Sequence, residues 1–338
     1  MKIRITCLVF TILVLLSLAP ITVIAKVPDI VLKQQVSVVT IYINSADHKE
    51  TVTGSGFIID SNGVIVTNHH VISKWLEDWT STMLIKMENG AFLTVENVLA
   101  YDEINDIALI KAKAKNLPTI KLSQTYKPKQ GEDIYTIGSP QGLEKSVSSG
   151  IISNISEKDA LIQITAPISP GSSGSPVLNT RGDVIGVATS GIEGGQSLNF
   201  AIHYRCIKNL LDEYKQRKPL AGLWKTDGGT LVKAKTEEDK ILAYLADPSS
   251  ASARNGYYEK NQLMFEGEQR GLKIQGTFIA RYPSDLSHCY PEGRPFDMTG
   301  DLVSNARIIR LEVEDILIDS KCKDMARKKA ILMLTHIN

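Results

Sequence analysis

The chain has 338 residues, 43% of them hydrophobic and 22% charged, which supplies enough apolar mass for packed cores and excludes wholesale disorder. Its length accommodates two or three domains of ordinary size. Lys and Arg number 38 against 37 Asp and Glu, and a net charge of +1 excludes nucleic-acid binding by bulk charge, so no nucleic-acid partner is expected.

Residues 1–25 read as an export signal. Lys2 and Arg4 form a basic start, an apolar run extends from Leu8 to Ala19, Pro20 breaks it, and Val23-Ile24-Ala25 precedes an expected cut after Ala25. The run is short for a membrane span of about 20 residues. The expected location is therefore periplasmic or secreted, with membrane anchoring the alternative if the signal stays uncleaved. Export leaves Cys206, Cys289 and Cys322 in the remaining chain. Three is an odd number, so one internal disulfide at most can form. Cys289 and Cys322, both near the C-terminus, are the expected pair, and Cys206 reads as a buried small apolar side chain. No Cys or His spacing suggests a metal site, and no cofactor is implied.

From residue 36 to about residue 201 short β-branched runs recur between Gly, Asn, Ser and Pro. Strands are expected over 36–43, 56–59, 64–67, 83–86, 107–111, 134–137, 162–164, 184–188 and 198–202. Ser61-Asn62-Gly63 and Arg181-Gly182-Asp183 mark turns. Many short strands with regular turns favour a sandwich or barrel over a parallel sheet. Over 204–218 the period changes: Ile207, Leu210, Leu211 and Tyr214 fall at helical spacing, and Pro219 ends the element. The expected division is a signal over 1–25, one domain over 26–218 and a β-rich domain over 219–338. In the latter, strands are expected over 230–235, 241–245, 262–266, 272–279, 300–303 and 308–313, enough for a small antiparallel barrel or half-barrel. The basic stretch 321–329 follows the acidic stretch 312–319 and reads as a solvated element.

The strongest chemical signal is Pro170-Gly171-Ser172-Ser173-Gly174-Ser175-Pro176. A serine between glycines can be a mere turn. As a nucleophile it needs a base and donors aimed at a developing oxyanion, and Gly171 and Ser173 have the spacing that presents two N–H groups to one oxygen. His70, where the strand 64–67 runs into polar residues, is the candidate base, with His69 beside it as a rival. Asp106, at the mouth of the apolar run Ile107-Ala108-Leu109-Ile110, is the candidate orienting acid, with Asp102 and Glu103 as rivals. The order His70, Asp106, Ser173 is that of a chymotrypsin-like double β-barrel, with His and Asp in a first barrel and Ser in a second.

With these residues in place, the chain resembles the HtrA (Deg) type trypsin-like serine proteases. The resemblance runs through 54–59, 66–71, 105–110, 137–142, 163–176 and 198–202, in that order. It implies a serine endopeptidase acting on proteins or peptides in quality control or processing, selects His70 over His69, and implies a homotrimer. Two features depart from the family pattern. Ser172 stands before the nucleophile and Ser175 after Gly174, and nothing resembling a PDZ domain follows. Instead Gly222-Leu223-Trp224 opens a stretch with a lipocalin-like look. Six residues before Ser173, where a carboxylate would select Lys or Arg, stands Pro167, followed by Ile168. Thr189, Ser190, Gly191 and Ile192 are expected to form the other wall. An uncharged pocket implies Val, Ala, Leu or Thr over Arg at P1. The alternative reading is a latent protease that acts as a chaperone-like or ligand-binding module through its C-terminal β-domain.

Overall fold

The computed structural model describes residues 27–139, 146–156, 158, 160–189, 199–217, 219–237, 240–247, 262–280, 289, 294–303, 308–318, 321–322 and 324–337. The signal expected over 1–25 and the pocket positions Ser190, Gly191 and Ile192 lie outside the described residues. The fold is mainly β, in three closed barrels.

The first barrel has six strands: β1 Val38–Asn44, β2 Thr51–Asp60, β3 Val64–Thr67, β4 Thr82–Lys86, β5 Phe92–Asp102 and β6 Ile107–Ala112. They close in the order β1-β2-β3-β6-β5-β4. Helix α1, His69–Glu77, leaves the end of β3. The second barrel comprises β7 Asp133–Gly138, β8 Ser146–Ser156, β9 Leu161–Ile164, β10 Pro176–Leu178, β11 Val184–Thr189 and β12 Asn199–His203, in the order β10-β11-β12-β9-β8-β7. Helix α2, Tyr204–Gln216, follows β12, and the His203 side chain caps it by accepting from the Arg205 N–H.

The seam between these barrels follows from the strand periodicity. Ile65, Ala108 and Ile110 fill the first barrel, while their neighbours Val66, Ile107 and Leu109 face the other way. That second set packs with Ile137, Leu178 and Val187 of the second barrel and with Ile207 and Leu210 of α2. These strands are buried on both faces, so they read in sequence as unbroken apolar runs rather than alternating ones.

The third barrel has eight strands joined strictly in sequence order: β13 Gly222–Thr226, β14 Leu231–Glu237, β15 Lys240–Leu245, β16 Leu263–Arg270, β17 Lys273–Ala280, β18 Arg294–Val303, β19 Ile308–Ile318 and β20 Asp324–Ile337. It is a closed up-and-down barrel, so the half-barrel alternative is corrected by pairing of β13 with β20. The acidic and basic stretches near the C-terminus are two arms of one hairpin, with Glu314 opposite Lys329 and Asp315 opposite Lys328 in register. Cys289 and Cys322 are disulfide-bonded, as expected, and Cys206 is free and buried. The barrel interior is a filled core. Trp224, Phe265, Phe278 and Leu311 are among the side chains that occupy it, and they line an apolar pocket of ≈ 40 Å³.

Candidate active site

The site lies on the seam where β3 runs into α1. Asn68 stands at the N-cap position of α1 but supplies no side-chain cap. Its Nδ2 instead donates to the Asp106 carbonyl (2.9 Å). The cap comes from the turn before β6: the His70 N–H donates to Asp106 Oδ1 (2.9 Å). A carboxylate there satisfies an N–H that the helix cannot, and complements the positive end of the helix dipole. To reach it, Asp106 adopts a left-handed backbone, φ 51°, a conformation that Asp tolerates better than most residues.

The same carboxylate accepts from the His70 ring, Nδ1 to Oδ2 2.8 Å, and from Thr189 Oγ1, 3.1 Å. Burial pushes the Asp106 carboxyl up, but the hydrogen bonds from His70 and Thr189 outweigh it and hold the group below the ordinary carboxylate value. An ionised Asp106 can only accept, so Nδ1 of His70 carries the proton and Nε2 presents its lone pair.

The rival residues have other partners. His69 stacks on Tyr101 (4.9 Å between ring centroids), with its Nε2 3.8 Å from Glu103. Burial, with the nearby Glu103, raises the Tyr101 hydroxyl to about 12. Asp102 caps the turn that delivers Asp106, accepting from the N–H and Nδ2 of Asn105.

Ser173 is the second residue of the latter of two consecutive tight turns that share Ser172. Ser172 N–H donates to the Ser169 carbonyl (2.9 Å) across Pro170-Gly171, and Ser175 N–H to the Ser172 carbonyl (3.0 Å) across Ser173-Gly174. Gly171 (φ 90°) and Gly174 (φ 88°) occupy the third position of their turns, where positive φ favours glycine. Gly174 is constrained further: a Cβ there would lie 2.0 Å from the Ser55 carbonyl oxygen and 2.5 Å from Thr67 Oγ1. Among the described residues neither the Gly171 nor the Ser173 N–H has an acceptor.

Ser55 of β2 ties this loop to the first barrel. Its N–H donates to the Ser173 carbonyl (2.8 Å) and its hydroxyl to the Gly171 carbonyl (2.7 Å). Its own carbonyl accepts from Thr67, three residues before His70 (2.7 Å). The structure thus joins His70 to Asp106 directly and brings Ser173 to the same seam through Ser55 and Thr67. Among the described residues no hydrogen bond links Ser173 Oγ to His70. Ser55 lies within the stretch 54–59 that carries the family resemblance, where the sequence assigns it no role. Its one signal is a hydroxyl between glycines in a buried strand.

Of the expected pocket residues, Pro167 is exposed, Ile168 packs on the core of the second barrel, and the Thr189 side chain turns to Asp106. Among the described residues no group of three His, Cys, Asp or Glu is arranged to hold a metal, and no helix is long and apolar enough to cross a membrane.

Residues 54–187 match the family model of the trypsin-like peptidase domain. Among curated proteins the chain is similar to the putative serine protease HhoB of Synechocystis sp., 32% identical over 235 residues, covering 62% of this chain and 55% of that protein. It is also similar to probable periplasmic serine endoproteases described as DegP-like. In Halomonas elongata the identity is 35% over 225 residues, with coverage of 60% and 45%. In Chlamydia muridarum it is 35% over 175 residues, with coverage of 49% and 34%. The chain spans about half the length of the first two relatives and about a third of the third.

Proposed function

We propose that this trypsin-like peptidase domain of the HtrA/DegP type works as a serine endopeptidase through His70, Asp106 and Ser173. The observation that supports this most is the double engagement of Asp106 with His70, which holds the ring in the tautomer a general base needs. In the proposed mechanism His70 Nε2 takes the proton of Ser173 Oγ as the oxygen attacks the scissile carbonyl. The unengaged N–H groups of Gly171 and Ser173 receive the oxyanion. His70 then returns the proton to the leaving amine. Water, activated by the same ring, hydrolyses the acyl-enzyme.

The substrates are proteins or peptides with Val, Ala, Leu or Thr at P1. This rests on the uncharged Pro167 and Ile168, six and five residues before Ser173. The proposed setting is quality control or processing after export, with the protease within 26–218 and the β-rich domain over 219–338. A homotrimer would use the exposed Ile30, Leu32 and Val36 ahead of the first barrel. A peptide library tests the reading: cleavage after small or aliphatic residues, lost in Ser173→Ala, supports it, and cleavage mainly after Arg or Lys refutes the pocket.

A further inference from the structure

We infer that Arg270 of the third barrel is a positioning residue for His70, which makes that barrel part of the protease's working unit. The inference rests on the endopeptidase reading above and deepens it.

Helix α1 has nine residues, too few to be stable alone in water. Its N-terminal end is held by Asp106. Its C-terminal end exposes carbonyls that the helix cannot satisfy. Arg270 reaches them from the end of β16. Its Nη1 donates to the carbonyls of Trp75 (3.0 Å) and Asp78 (3.1 Å), and its Nη2 to that of Trp79 (2.9 Å). The guanidinium lies over the rings of Trp75 (4.4 Å to the centroid) and Trp79 (4.9 Å). A cation at this end also complements the helix dipole. The planar fork of Arg can address several carbonyls at once, which a Lys ammonium on its flexible stem does less rigidly.

The next residue completes the grip. Gly271 opens the two-residue turn between β16 and β17 at φ 61°, and its N–H donates to Asn97 Oδ1 (3.2 Å). A Cβ there would lie 3.1 Å from Tyr101 Cε1 and 3.3 Å from Leu76 Cδ2. Leu76 belongs to α1, and Tyr101 stacks on His69, beside the base. The hairpin tip therefore bears on α1 at the Trp75 carbonyl, on the Asp78 and Trp79 carbonyls just past its end, at Leu76 and, through Tyr101, next to His70.

The side-chain hydrogen bonds of Arg270 all run to the first barrel, while its backbone pairs with Lys273 in the third. Removing the side chain leaves the third barrel's ladder whole. Loss of the brace frees α1 to shift, and a displacement of the base by about 1 Å costs about a hundredfold in rate.

The test compares wild type, Arg270→Ala, Arg270→Lys and, as a control on the same barrel, Lys240→Ala. Three readouts are followed: kcat and KM on a peptide substrate, labelling by a fluorophosphonate probe, and amide hydrogen exchange resolved along the chain. For Arg270→Ala the expected result is a fall in kcat of about tenfold or more with KM within about twofold. Slower labelling and loss of exchange protection confined to α1 and its flanks accompany it. Arg270→Lys recovers only part, and Lys240→Ala matches wild type. Unchanged kcat and unchanged α1 protection in Arg270→Ala overturn the inference. So does a loss of protection spread through β13–β20, which marks a merely structural role. If the wild type itself neither cleaves nor labels, the endopeptidase reading has failed. The exchange of α1 in Arg270→Ala then still decides whether the brace exists.

Discussion

Asp106 holds His70 twice, by the backbone N–H at Oδ1 (2.9 Å) and by the imidazole Nδ1 at Oδ2 (2.8 Å). One carboxylate thereby caps the helix that carries the proposed base and also sets the tautomer of its ring. Asp106→Asn keeps the shape but offers one oxygen and one NH2 group, so the ring proton moves to the wrong nitrogen. The expected loss in kcat is about 10⁴-fold. Weaker capping lowers stability by about 1 kcal/mol. Peptide hydrolysis and urea unfolding measure the two effects separately.

The same carboxyl sets a pH dependence. Its folded value lies below the ordinary 3.8, so its contribution to stability is present above that value and is lost as pH falls through the folded one. The stability gap between wild type and Asp106→Asn is therefore constant near neutrality and closes on strong acidification. Thermal unfolding of both proteins between neutral and strongly acidic pH shows whether the gap closes.

Thr189 donates the third hydrogen bond to this carboxylate. Thr189→Val removes the donor at nearly constant shape and is expected to lower kcat/KM by about tenfold, whereas Thr189→Ser keeps most of it. Equal activity of the Val and Ser variants would show the hydroxyl to be idle.

Gly174→Ala puts a methyl group 2.0 Å from the Ser55 carbonyl at a φ of 88°. Both the contact and the dihedral oppose it, and a destabilisation of about 2–4 kcal/mol is expected. The Ser173 loop, held by Ser55, loses activity with it. Denaturant unfolding and hydrolysis rates should fall together.

In the third barrel the Cys289–Cys322 bond closes a loop of 33 residues, and its reduction is expected to cost about 3–4 kcal/mol. Calorimetry with and without reductant measures this.

The positions proposed for the triad stand out in the sequence because each sits where a local pattern breaks. His70 follows an apolar strand, Asp106 precedes one, and Ser173 lies in a glycine-punctuated loop. The two six-stranded barrels were legible from the order of those three residues and from turn signals. Thr189 was expected in a pocket wall rather than on Asp106, and Ser55 and Arg270 were not legible, because the partners of these three lie 83, 116 and up to 195 residues away. Some strands were hidden too. β5 carries polar Glu96 and Asn97 and is broken by two register shifts, and β8 is rich in serine. The β19–β20 hairpin was masked by charge: its arms read as two solvated runs until the register set acid against base. Closure of the third barrel depends on β13 meeting β20, a pairing across nearly the whole domain.

The central claim is that Ser173 is a nucleophile activated by His70, and an active-site fluorophosphonate probe tests it most directly. The account predicts labelling of one serine per chain, mapped to Ser173 by mass spectrometry, and absent in a folded Ser173→Ala variant. Folded wild-type protein that takes up no probe, or probe mapped to Ser172 or Ser175, would contradict it.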